Sequence, residues 1–228
     1  MEHLKGRHLK AFILRLLKEE SLAGALEALS LMPPRRVVNP LFSLILSTEP
    51  GIKWRAVTAM GETVARLAGR DMESARVIMR RFMWQLNDES GGIGWGCPES
   101  MGEIMAIHEG LAREFSPVLI SYINEQGNYL EYEPLRAGAV WGIGRLAQSR
   151  PQRAREAGDH LGPLVGSADP LVRGLAVWTL GSLRAKKATS LMKTLLEDRA
   201  VFELYRNREL KIYSVKDLAQ EALHRMQG

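Results

Sequence analysis

The sequence predicts an all-α protein, a right-handed solenoid of about six helical hairpins, and three observations predict it. The 228 residues are 46% hydrophobic but only 7% aromatic, and Leu, Ala, Arg, Glu and Met are plentiful, a mixture that favours helices over strands. A pattern of residues recurs about every forty positions, which suits two helices and two turns. Prolines fall where helices would start or turns would lie, as a fixed φ and a missing N–H require.

The elements follow in order. The opening stretch, MEHLKGRHLKAFILRLLKEE, places basic residues before an apolar run, but Arg15 and Lys18 interrupt that run, so it reads as an amphipathic helix rather than a leader. Residues 1–35 are expected to form a capping hairpin ending at the turn signal Met32-Pro33-Pro34. Residues 36–228 would then hold about five repeats, and the whole chain, 1–228, one repeat domain. Outer (A) helices are expected over 38–47, 74–87, 113–125, 153–165 and 188–197. The last stretch, 209–226, should close the far end with a more polar outer face.

The inner (B) helices carry the repeated motif. It is a basic residue, a small residue three later, and an apolar-Gly pair seven and eight later. Lys53, Ala56 and Met60-Gly61 fit it, as do Arg136, Ala139 and Ile143-Gly144, and Arg173, Ala176 and Leu180-Gly181. A degenerate copy runs from Gly94 through Cys97 to Met101-Gly102, and another from Lys216 through Ala219 to Leu223, where His224 replaces the glycine. The glycines lie 41, 42 and 37 residues apart, and Glu49-Pro50, Glu133-Pro134 and Asp169-Pro170 lead into three of the copies. This pattern resembles the second helix of HEAT and lyase-type HEAT-like repeats over residues 38–226. The resemblance implies an armadillo-type superhelix with B helices on its concave side, and such repeats serve many unrelated roles.

At 100° per residue, the motif's core stripe in the fifth pair is Val172, Ala176, Leu180 and Leu183, and the first and fifth residues after the basic one point away from it. Those positions hold Trp54, Trp95, Trp141 and Trp178, four of the five tryptophans, together with Thr58, Glu99 and Glu221. The rings either anchor a partner in the groove or pack between repeats. Glu62, Glu99 and Glu103 lie on or beside the same face, as site carboxylates or as solvated helix charges. Tryptophans beside carboxylates on a concave face resemble, in architecture, the HEAT-like alkylpurine DNA glycosylases. Basic residues near the B-helix C-termini, Arg66, Arg70, Arg145, Arg150, Lys186 and Lys187, would stack into a ridge that either tracks phosphate or complements helix dipoles.

The segment Gly91-Gly92-Ile93-Gly94-Trp95-Gly96-Cys97-Pro98 departs most from the repeat. With Pro98 at the first helical position, Cys97 would stand near the N-cap as a reactive thiol or beside an anion site, or would simply fill the alanine slot of a shortened repeat. No strand is predicted before the glycines, so they fail the context test for dinucleotide binding. The single cysteine forms no internal disulfide and points to the cytoplasm. His3, His8, His108, His160 and His224 show no ligand spacing, so neither metal nor cofactor is expected. No run approaches the roughly 20 apolar residues needed to cross a bilayer.

A non-catalytic scaffold gripping a protein or peptide in its groove is therefore the leading expectation. Trp95, Trp141 and Trp178 would be its anchors, Trp54 would line the same groove, and Glu99 and Glu103 would set polarity. A nucleic-acid protein, with base-excision chemistry at Glu99, is the alternative that the net charge of +5 permits.

Overall fold

A computed structural model describes residues 6–87 and 94–227. Its helices are α1 (Gly6–Glu19), α2 (Leu22–Ser30), α3 (Pro34–Leu44), α4 (Pro50–Ala68), α5 (Met72–Leu86), α6 (Cys97–Ile107), α7 (Glu109–Ser121), α8 (Glu133–Ser149), α9 (Pro151–Ala154), α10 (Gly162–Val165), α11 (Pro170–Ser182), α12 (Thr189–Lys193) and α13 (Val215–Gln227). Two strands, β1 (Val201–Arg206) and β2 (Glu209–Ser214), separate α12 from α13. Six helical pairs result, and α4, α6, α8, α11 and α13 stack successively as the B layer.

Local chemistry sets the helix starts. Pro50 and Pro170 open α4 and α11, where a missing N–H costs no helical bond. Ser21, Asp71 and Asp169 accept backbone N–H bonds from Gly24, Ser74 and Leu171 at 3.0, 3.0 and 2.8 Å, satisfying donors that no helical carbonyl reaches.

The recurring glycines mark the places where one B helix meets the next. A Cβ on Gly61 would lie 2.5 Å from Glu103 Cγ, on Gly144 2.4 Å from the Trp178 ring, and on Gly181 2.6 Å from Ala222 Cβ. At Gly102 it would lie 2.3 Å from the Cα of Gly142, so α6 and α8 touch backbone to backbone. A continuous core runs beneath this layer from Ile13 through Leu41, Met60, Ile104, Ile143 and Leu180 to Leu218.

The A layer is less regular than the expected spans. Where a continuous helix was expected over 153–165, the chain forms α9, a 3-10 turn at Arg155–Asp159 and α10, because Gly158 and the Gly162-Pro163 pair interrupt it. The sixth outer element shrinks to a 3-10 turn at Lys186–Ala188 and the five residues of α12.

One feature adds to the solenoid that the repeat pattern predicts. β1 and β2 pair antiparallel in the register Val201↔Ser214 to Arg206↔Glu209 around a two-residue turn. Asn207 and Arg208 in that turn have φ of 55° and 66°, the left-handed pair that matches the strands' twist. The 209–226 stretch is therefore strand up to Ser214 and helix after it.

Candidate binding site

The β-hairpin lies on the B layer and reaches far back along it. Tyr205 stacks on Trp54 of α4, with ring centroids 4.9 Å apart and planes 9° apart, and its hydroxyl is 2.8 Å from Thr58 Oγ1. Trp141 Nε1 of α8 donates to the Tyr205 carbonyl at 2.7 Å. At the tip, Arg208 bonds Glu62 at 2.6 Å, and Arg206 holds Glu221 of α13 through both terminal nitrogens at 2.7 and 2.6 Å. Gly174 is bare because the Phe202 ring occupies the space of a side chain there; a Cβ would lie 2.1 Å from it. The hairpin thus stands between α4 on one side and α11 and α13 on the other.

Two cavities flank it. One, about 560 Å³, opens between the hairpin and the N-terminal turns of α4, α6, α8 and α11. Trp54, Trp95, Leu135, Leu175 and Leu210 give it an apolar lining, and Lys53, Glu99, Asp169 and Glu203 give it polarity. Glu99 is 4% exposed; its Oε1 accepts from Lys53 Nζ at 2.7 Å, and its Oε2 is buried without a partner. Lys53 also lies 4.9 Å from the Trp54 ring centre, a cation–π contact. Gly138 makes room for this carboxylate, since a Cβ would sit 2.8 Å from Oε2. The second cavity, about 430 Å³, lies at the hairpin tip among Glu103, Arg145, Trp178, Arg206 and Arg208.

Residues 133–183 match the family model for the HEAT-like repeat. No curated protein sequence matches the chain. Among solved structures, an engineered protein is similar over 97% of both chains, at 14% identity and a TM-score of 0.55. A designed armadillo repeat protein, covering 96% of this chain and 99% of its own, is 18% identical with a TM-score of 0.51. Another, in complex with the peptide (KR)4, covers the same shares at 18% identity and a TM-score of 0.52. The fold is a HEAT-like, armadillo-type solenoid.

The solenoid brings the predicted residues together but hides several of them. Trp141 and Trp178 are each 3% exposed, so they are no open anchors: the hairpin and the neighbouring B helix cover the rings. Trp54 is half-buried under Tyr205, and Trp95 is 39% exposed at the cavity mouth. Trp84 on α5, outside the motif positions, is 65% exposed. Glu99 and Glu103 are not solvated helix-face charges; Glu103 is 3% exposed and accepts from Arg145 Nε at 2.6 Å. Removing either cation would strand a buried charge.

Of the six residues expected to form a basic ridge, three are engaged within the protein and three are exposed. Arg66 donates to the carbonyls of Leu29, Ser30 and Met32, and Arg150 to those of Met105 and Ile107, capping carbonyls at the ends of α2 and α6. Arg145 is held by Glu103, while Arg70, Lys186 and Lys187 are exposed.

The glycine-rich segment keeps one sharp constraint within the solenoid. Gly96, at φ 73°, is the N-cap of α6, and a Cβ there would lie 2.6 Å from the Ile45 carbonyl; residues 91–93 fall outside the described residues. Cys97 is the first residue of α6 rather than its cap, and it is fully buried. Burial, reinforced by Glu99, pushes its thiol well above the ordinary range, so it is not the reactive thiol that a helix start suggests. Among the described residues no group of His, Cys, Asp or Glu gathers as a metal site, and no helix is long and apolar enough to cross a membrane.

The motif reading missed Tyr205, Phe202 and Leu210. Their signal was an apolar and β-branched run, Val201 to Tyr205 and Leu210 to Tyr213, around a two-residue polar turn.

Proposed function

We propose that residues 1–228 act as one non-catalytic scaffold that holds a peptide segment of a partner protein on the B-helix face. The observation that carries this reading is the open 560 Å³ cavity between the hairpin and the helix starts, with Trp95 at its mouth. An apolar lining with few polar groups is the usual character of a recognition pocket. A similar fold holds a peptide in the designed armadillo complex, which supports the same class of ligand here. The anchors are Trp95 and Trp54, with Glu99 setting polarity; Trp141 and Trp178 support the hairpin beneath. The ion pairs that hold Glu103 and one oxygen of Glu99 favour a binding role over acid–base chemistry, and the internal engagement of Arg66, Arg145 and Arg150 weakens the phosphate-track alternative.

The test is selection of a random peptide library on the wild-type protein, followed by measured affinities against Trp95→Ala. Enriched peptides that bind Trp95→Ala at least tenfold more weakly, with helical circular dichroism unchanged, support the reading. No enrichment, or equal affinity for the variant, overturns it.

A further inference from the structure

We infer that the outer edge of β2 is the backbone half of this binding site, and that the partner segment joins the hairpin as a third strand carrying a basic side chain beside Leu210. The inference rests on the peptide-binding reading and deepens it.

Register decides which backbone groups are free. The Arg206↔Glu209 pair closes a two-residue turn, so these residues exchange hydrogen bonds, and so do Leu204↔Lys211 and Phe202↔Tyr213 by alternation. The Val215 N–H to Ala200 carbonyl bond, 3.0 Å, continues the alternation one pair further. Tyr205, Glu203 and Val201 must then turn their backbone groups out from β1, and Leu210, Ile212 and Ser214 theirs out from β2. The two edges have different fates. The β1 edge is docked, as Trp141 takes the Tyr205 carbonyl. On β2 the Ser214 N–H meets Asp217 at 3.4 Å, while the N–H and C=O groups of Leu210 and Ile212 have no partner among the described residues. Ile212 is 70% exposed. A hairpin standing on its β1 edge therefore presents a short, open strand edge, which is the template for β-augmentation.

Side-chain direction connects that edge to the cavity. Cross-strand partners share a face, so Leu210 lies on the same face as Tyr205, whose ring stacks on Trp54 of α4. Leu210 itself lines the cavity. A residue of an added strand opposite Leu210 points the same way, toward the cavity rim. There Glu99, Asp169 and Glu203 stand against Lys53 alone, and Glu203 makes no ion pair among the described residues. That excess of carboxylates selects a lysine or arginine with an aliphatic stem to lie along Leu210. The flanking β-branched residues suit a strand beside Ile212.

The test uses a fluorescein-labelled (Lys-Val)4 peptide, its counterpart N-methylated at alternate residues, and a (Glu-Val)4 control, with anisotropy read on the intact chain. The variant is Ile212→Pro. Because the Ile212 N–H points out of the hairpin, proline removes the edge donor and leaves the internal ladder in place. The expected result is binding of (Lys-Val)4 that drops at least tenfold with Ile212→Pro and with N-methylation, retention by Ile212→Val, and no binding of (Glu-Val)4. Retained Trp emission and melting temperature show that the proline variant keeps its hairpin; if it does not, the N-methylated peptide alone decides. Equal affinity of the methylated and unmethylated peptides overturns the strand-addition mode, and equal binding of (Glu-Val)4 overturns the basic side chain. Failure of (Lys-Val)4 to bind while library peptides still bind in a Trp95-dependent way overturns this inference and leaves the scaffold reading standing.

Discussion

Replacing Tyr205 by alanine should release the hairpin from the B layer while the helices stay folded. The ring is 5% exposed, stacked on Trp54 and close to Trp141, and its hydroxyl bonds Thr58. Truncating a buried aromatic costs about 3–5 kcal/mol, which already includes most of the stacking and cavity cost. Loss of the hydroxyl alone, as in Tyr205→Phe, costs about 1 kcal/mol. Since about 1.4 kcal/mol is a factor of ten, the alanine variant should open the hairpin roughly a hundredfold or more often, and the phenylalanine variant under tenfold. Native-state hydrogen exchange reads this at the paired amides of Leu204, Arg206, Lys211 and Tyr213, and Trp emission should shift to the red as Trp54 and Trp141 meet water. Equal protection in Tyr205→Ala and Tyr205→Phe would refute the claim that the ring clamps the hairpin.

Four further outcomes follow from the same geometry. Gly102→Ala drives a methyl into the Gly142 backbone, so the helix-propensity gain of about 1 kcal/mol should be outweighed and urea melts should show a net loss of about 2 kcal/mol; Gly51→Ala, with open space around it, should be neutral or stabilising. Lys53→Met strands the buried Glu99 carboxylate and should cost about 3–5 kcal/mol, most of it recovered in Lys53→Met/Glu99→Leu, as chemical denaturation of both variants would show. Cys97 should resist alkylation at pH 8 in the native protein and react fully in urea. Its pKa and that of Tyr122, pushed up to about 12, are raised by burial, so the unfolded chain loses these protons first and stability falls as pH climbs from about 9. Cys97→Ala should flatten the start of that decline.

The solenoid was legible because its determinants are local and repeated: a basic residue and a glycine at fixed spacing, and prolines at helix starts. The glycines proved to be the points of B-helix contact, a role that the period marks without revealing its partner residues. What the sequence withheld is long-range. A helical wheel places Trp141 and Trp178 on the inner face, but the segment that covers Trp141 lies 64 residues further on. The hairpin carries a weak turn signal, because its turn is Asn-Arg rather than the glycine-bearing pair that usually announces φ above zero. Burial of Glu99 and Glu103 likewise depends on neighbours from other repeats.

In an ordinary repeat array each unit touches only the next, so stability is a sum of nearest-neighbour terms and an end can fray while the middle persists. Here the hairpin preceding the last helix grips Thr58 and Glu62 in the second pair. That clasp joins distant repeats into a closed circuit. Fraying at the C-terminus must break contacts near the N-terminus, so unfolding becomes cooperative along the array, and closing so long a loop slows folding. A truncation just before Val201 would therefore remove more than its own residues: it would restore the modular, progressively melting behaviour of an open array.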